Sequence, residues 1–124
     1  MTTFGYELII DLHGCDPKQF TRKKLKSYFW QLCKKIDMER GPLYFWDYFG
    51  ENMEARAEAP DHMAGISAVQ FIYTSNITVH ALDKLNAVYV NIFSCKDFDR
   101  REAENFTEEF FSASTYVSHF MERP

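Results

Sequence analysis

Cysteine is scarce in this 124-residue chain. Cys15, Cys33 and Cys95 form an odd set at wide spacings with no C-x-x-C pair. That argues against a disulfide framework and points to a reducing cytoplasm. Basic charge is not in excess. Fourteen Lys and Arg face 18 Asp and Glu, for a formal net charge of −4, and no basic stripe marks a nucleic-acid partner. No apolar run approaches the roughly 20 residues that a membrane helix needs, so no membrane partner is expected. The opening Met1-Thr2-Thr3-Phe4-Gly5 lacks the charged and apolar regions of a signal peptide. A glycine-rich phosphate loop, a G-x-S-x-G elbow, internal repeats and low-complexity tracts are all missing. The histidines (His13, His62, His80, His119) stand at no metal-ligand spacing, so no metal is expected.

Apolar and aromatic residues are plentiful. They make up 46% and 17% of the chain, with twelve Phe and seven Tyr, enough for a packed core. The length suits one domain over residues 1–124, or one half of a symmetric dimer.

The pattern alternates strand and helix signals. Phe4 to Leu12 reads as a first strand, broken at His13-Gly14-Cys15-Asp16-Pro17. Asp16 can cap a helix with Pro17 in its first turn. That helix runs to about Ile36, with Leu25, Phe29, Leu32 and Ile36 on one apolar face. Its lysines and arginines read as a solvated surface. Gly41-Pro42 ends the region, and Leu43 to Phe49 is an aromatic strand. Glu51 to Met63 is a polar loop with room for a helical turn. Two strands follow between Ile66 and Ala81, meeting near Thr74-Ser75, and Ala87 to Ser94 is another. Asp97 or Asp99 caps a last helix that buries Ala103, Phe106 and Phe110 and turns Glu102, Glu104, Glu108 and Glu109 to water. Thr115 to Met121 closes the chain as a strand. The order predicts an α+β fold: a two-layer sandwich of an antiparallel or mixed sheet with two helices on one face.

One stretch departs from an ordinary strand. Gly65 to His80 (GISAVQFIYTSNITVH) is rich in β-branched and aromatic residues, yet it carries Ser67, Thr74, Ser75, Asn76, Thr78 and His80. Buried hydroxyls and imidazoles cost free energy unless they are hydrogen-bonded. Such a run marks either the polar face of a half-exposed sheet or a reaction site. Taken singly, Ser75, Cys95 and His80 are commonplace. Jointly, Ser67 lies eight residues before Ser75, His80 five after it, and Cys95 fifteen further on. In a regular strand Ser67 and Ser75 share a face, while Ser75 and His80 point oppositely. The chain must kink, or two protomers must build the site.

Together with AVYVNIFSC and the opening LIIDLHGCD, that run resembles the prokaryotic S-adenosylmethionine decarboxylases, from about Leu8 to Phe111. The resemblance implies a self-made cofactor. Ser75 attacks the peptide bond before it, the resulting ester breaks by elimination, and Ser75 becomes a pyruvoyl group. The cut falls between Thr74 and Ser75, leaving a β chain of residues 1–74 and an α chain of residues 75–124. The pyruvoyl ketone forms a Schiff base with the substrate amine and draws off electrons as carbon dioxide leaves, yielding the aminopropyl donor for spermidine. His80 and Ser67 serve the processing step, His80 by proton transfer. Cys95 returns a proton in turnover. The short members of the family are homodimers with sites between subunits.

The chain also departs from the family. Thr74 stands where many short members have Glu, and Asn76 where His is usual. The common Thr-Trp-Pro-Glu run, whose Glu grips the substrate ribose, is Ala81-Leu82-Asp83-Lys84 here. The aromatic residue that stacks on adenine aligns with Asp61. These changes fall on the nucleoside pocket. They leave open a smaller amine such as arginine or ornithine, with Asp61, Glu58 or Asp83 pairing with its distal cation. Thr74 also leaves open an uncut homologue that acts as scaffold or activating partner.

Overall fold

The computed structural model describes residues 2–47 and 52–124, and of Met53 only the backbone. Six strands form one sheet: β1 (Gly5–His13), β2 (Arg40–Trp46), β3 (Gly65–Ile72), β4 (Ser75–Leu82), β5 (Ala87–Ser94) and β6 (Thr115–Arg123). Their order is β2-β3-β4-β5-β1-β6, and every pairing is antiparallel. The helices are α1 (Arg22–Lys35), α2 (Met53–Glu58) and α3 (Arg100–Phe111). The expected α+β sandwich is therefore present, with the sheet antiparallel throughout.

Alternation builds the two layers. Leu8, Ile10 and Leu12 of β1, Ile77 and Val79 of β4, and Val88, Val90 and Ile92 of β5 are buried against α1 and α3. Leu25, Phe29 and Leu32 on α1 are fully buried, each stabilising by about 1.5–3 kcal/mol relative to exposure. Tyr28 joins α1 to α3 inside the core, its hydroxyl 2.8 Å from that of Thr107.

The even-numbered residues of β4 face away from the helices. One row crosses the whole sheet in register: Trp46, Ser67, His80, Tyr89, Asp11, Val117. Among the described residues, α1 and α3 both lie on the other face. Tyr44, Trp46, Val117 and Met121 stand exposed on the open one.

Three local expectations are corrected. Asp16 caps only the 3-10 turn Pro17–Gln19, and α1 starts afresh behind Thr21, whose hydroxyl accepts from the N–H of Lys24. Gly41-Pro42 lies inside β2 as an edge-strand irregularity, where proline is tolerated. The buried amide of Gln70 pins it by donating to the carbonyl of Gly41 at 2.9 Å. Glu104 does not face water: it is buried on α3, accepts from the hydroxyl of Ser118 and pairs with Arg100 at 3.5 Å. The loop expected before β3 holds α2, the short helical turn for which the sequence left room. Tyr48 and Phe49 of the expected second strand lie outside the described residues, as does Glu51.

Candidate active site

Two residues, Tyr73 and Thr74, connect β3 to β4. So tight a hairpin needs unusual backbone angles. Thr74 has φ +53, in the left-handed region that a β-branched residue rarely enters. The strained residue immediately precedes the peptide bond between Thr74 and Ser75. Such conformations cost of order 1–3 kcal/mol and persist only where the surroundings impose them.

The surroundings here come from the end of β5. The buried Ser94 turns the chain after the strand, its hydroxyl donating to the carbonyl of Lys96 at 2.7 Å. That turn aims the N–H of Cys95 at Ser75, where it donates to Oγ at 2.8 Å. Ser75 is buried, while Cys95 is half-buried. The hydroxyl oxygen of Thr74 lies 2.9 Å from Cys95 Sγ and 2.8 Å from the carbonyl oxygen of Tyr73. Its one proton can go to either. Hydrogen bonds from the hydroxyls of Thr74 and then Ser75 hold the Cys95 thiol below the usual range. Cys15 and Cys33 differ: burial pushes each thiol up to about 11.

Ser67 and His80 form a separate pair. They stand opposite one another across the hairpin, with Ser67 Oγ 2.7 Å from His80 Nδ1. The donor depends on the imidazole tautomer. Five residues along β4 separate Ser75 from His80, about 17 Å at strand rise. They also point to opposite faces, as parity required. The expectation that Ser67 shares a face with Ser75 fails. The two-residue turn resets the alternation, so Ser75 pairs with Ile72 on the core side and Ser67 with His80 on the open side.

A groove of about 600 Å³ opens beside Ser67 and His80, lined also by Trp46, His62, Met63, Gly65, Ile66, Leu82 and Tyr89. Among the described residues its lining includes no carboxylate. Asp61 and Glu58 are exposed, outside that lining. Asp83 is half-buried and paired with Arg56. Lys84 donates to the carbonyls of Ala57 and Ala59 at 2.6 and 2.5 Å. Trp46 and Tyr89 went unnoticed in the sequence. Their place in the row with Ser67 and His80 follows from strand register, which no local pattern reveals.

The model of the S-adenosylmethionine decarboxylase family matches residues 6–124. The chain belongs to that family. Similar sequences include the S-adenosylmethionine decarboxylase proenzyme of Pyrococcus abyssi, 26% identical over 115 residues, covering 91% of this chain and 73% of that protein. The proenzyme of the same name from Clostridium botulinum strain Loch Maree is 28% identical over 106 residues, covering 85% and 81%. The crystal structure of the adenosylmethionine decarboxylase from Aquifex aeolicus superposes with a TM-score of 0.78 at 14% identity, covering 99% of this chain and 92% of that one. That likeness bears on the fold alone. Among the described residues no helix is long and apolar enough to cross a membrane.

Proposed function

We propose that this chain is a proenzyme that cuts itself between Thr74 and Ser75 and then, as a homodimer, decarboxylates S-adenosylmethionine. The observation that carries the reading is Ser75: buried, held at Oγ by the N–H of Cys95, and preceded by a left-handed Thr74. A strained residue beside the bond to be broken and a fixed attacking oxygen both favour an N-to-O acyl shift.

In that shift Ser75 Oγ bonds to the Thr74 carbonyl carbon, and the bond from that carbon to Ser75 N breaks. The freed nitrogen takes the hydroxyl proton. Elimination then removes the Ser75 Cα proton and breaks the ester at Cβ–O, releasing Thr74 as a carboxylate. Water enters, ammonia leaves, and Ser75 ends as a pyruvoyl group. The family's cofactor would fit this position: residue 75 lies at a strand start, held by the N–H of Cys95 and beside that residue's thiol. Held there, a pyruvoyl group would supply a ketone as electron sink for decarboxylation. Cys95 holds a proton at that place and can return it to carbon.

His80 is the proton carrier suited to the elimination, with Ser67 fixing its ring. It lies too far along β4 to reach Ser75 of its own chain. A second copy, its open sheet face set against the β3–β4 turn of this one, supplies His80 and Ser67 to Ser75 and Cys95. The exposed Tyr44, Trp46, Val117 and Met121 on that face support such packing.

The groove favours an adenosyl sulfonium over arginine or ornithine. Aromatic and apolar side chains line it together with Ser67 and two imidazoles, and the acids proposed for a distal cation lie outside it. Carbon dioxide release from carboxyl-labelled S-adenosylmethionine, arginine and ornithine tests the assignment. Turnover of the first alone is expected; turnover of either amino acid instead would overturn it.

A further inference from the structure

We infer that residues 52–64 form a strap carrying one wall of the Ser67–His80 groove, and that Arg56, Asp83 and Lys84 latch it there as positioning residues for substrate affinity. For the identity of the substrate this rests on the decarboxylase reading; the latch itself does not.

The strap has little to hold it except the latch. Its helix, α2, is six residues long, too short to be stable alone. Asn52 caps it, accepting from the N–H of Ala55 at 3.1 Å. Burial contributes only Ala59 and Ala64 among the described side chains. The strong ties come from the β4–β5 turn. Lys84 Nζ donates to the carbonyls of Ala57 and Ala59, the groups that a helix end leaves unpaired. Asp83 pairs with Arg56, and its N–H donates to the carbonyl of Ala64 at 2.9 Å. Between these anchors the chain turns at Pro60, whose carbonyl accepts from Met63 and Ala64. That turn presents His62 and Met63 to the groove.

The latch has two consequences. First, it fixes a wall of the groove from residues that touch no reacting atom. Second, it turns the charges of Asp83 and Lys84 toward the strap, leaving the groove lined by aromatic, apolar and imidazole groups. Burial raises the Asp83 carboxyl while Arg56 opposes it, so loss of Arg56 leaves a half-buried acid without its counter-charge. The ion pair uses one arm only: Arg56 Nε and Asp83 Oδ1 have no hydrogen-bond partner.

The test uses the full chain, allowed to process itself. Lys84→Met removes one anchor from an exposed position, and Arg56→Met removes the other. Arg56→Asp combined with Asp83→Arg exchanges the charges. Cleavage is read by intact mass, turnover by kcat and KM for S-adenosylmethionine, and the strap by hydrogen exchange over residues 52–64. Each single variant should cleave fully, raise KM about tenfold and hold kcat within about twofold. Exchange in the strap should quicken, and the exchanged pair should bring KM back to within about threefold of the parent. Unchanged KM and exchange in Lys84→Met would overturn the latch, as would an exchanged pair no better than Arg56→Met. If the parent chain turned over no S-adenosylmethionine, the decarboxylase reading would fall. Strap exchange would still decide the latch: faster in the variants supports it, unchanged refutes it.

Discussion

The main-chain N–H of Cys95 donates to the hydroxyl oxygen of Ser75 at 2.8 Å, so the proposed nucleophile and the proposed proton donor share one contact. Two steps separated in time would thus draw on a single corner of the fold. Removing either residue should separate them. Ser75→Ala is expected to remain one uncut chain without decarboxylase activity. Cys95→Ala, which keeps its N–H, is expected to cleave yet lose at least about 100-fold in kcat, within the usual worth of a positioned acid. Denaturing gels and a turnover assay read both.

Sites shared between subunits make a distinct prediction. Ser75→Ala alone and His80→Ala alone should each stay uncut. Co-expressed, they form mixed dimers in which one site combines an intact Ser75 with an intact His80 from the other copy. Cleavage should then appear in the His80→Ala chain only. A site built within one chain gives no cleavage in the mixture.

Backbone strain at Thr74 is testable apart from its hydroxyl. A left-handed residue with a side chain costs roughly 1–2 kcal/mol, which glycine avoids. In the uncut Ser75→Ala background, Thr74→Gly should stabilise by about 1 kcal/mol after the glycine's own entropy. With Ser75 present, the same change should slow self-cleavage about fivefold, since that energy no longer assists the shift. Thr74→Val keeps the branched strain and should cleave faster than Thr74→Gly. Denaturant melts and cleavage time courses supply the numbers.

The thiols should titrate apart. Hydroxyls favour the Cys95 thiolate, so its pKa lies below the ordinary value and the reactive form appears as pH rises through that lower midpoint. In the uncut His80→Ala chain, alkylation should label Cys95 near neutral pH. Cys15 and Cys33, pushed to about 11, should stay silent until well above pH 9. Thr74→Val should move the Cys95 midpoint upward. Mass mapping of the alkylated peptides across pH reads all three.

Much of this was legible in the chain. Runs of β-branched and aromatic residues announced all six strands, the second of them three residues late, and the spacing of Ser67, Ser75, His80 and Cys95 pointed to a candidate site before any fold was known. What escaped notice depended on register or on distant partners. A two-residue turn moved Ser67 to the face opposite Ser75, because strand parity holds only within one strand. Glu104 looked solvated on a helical wheel, yet Ser118, fourteen residues away on β6, receives it. Lys84 looked like a reversed charge in the substrate pocket; its ammonium instead closes the end of α2, a helix too short for periodicity to announce. Trp46 meets Ser67 only through β2–β3 pairing.

Intact-mass analysis of the freshly purified, unmutated protein tests the central claim most directly. The account predicts two fragments, residues 1–74 and residues 75–124, the second blocked at its start by a pyruvoyl group. A single full-length mass that persists on incubation would contradict it. The chain would then be an uncut scaffold or activating partner on the same fold.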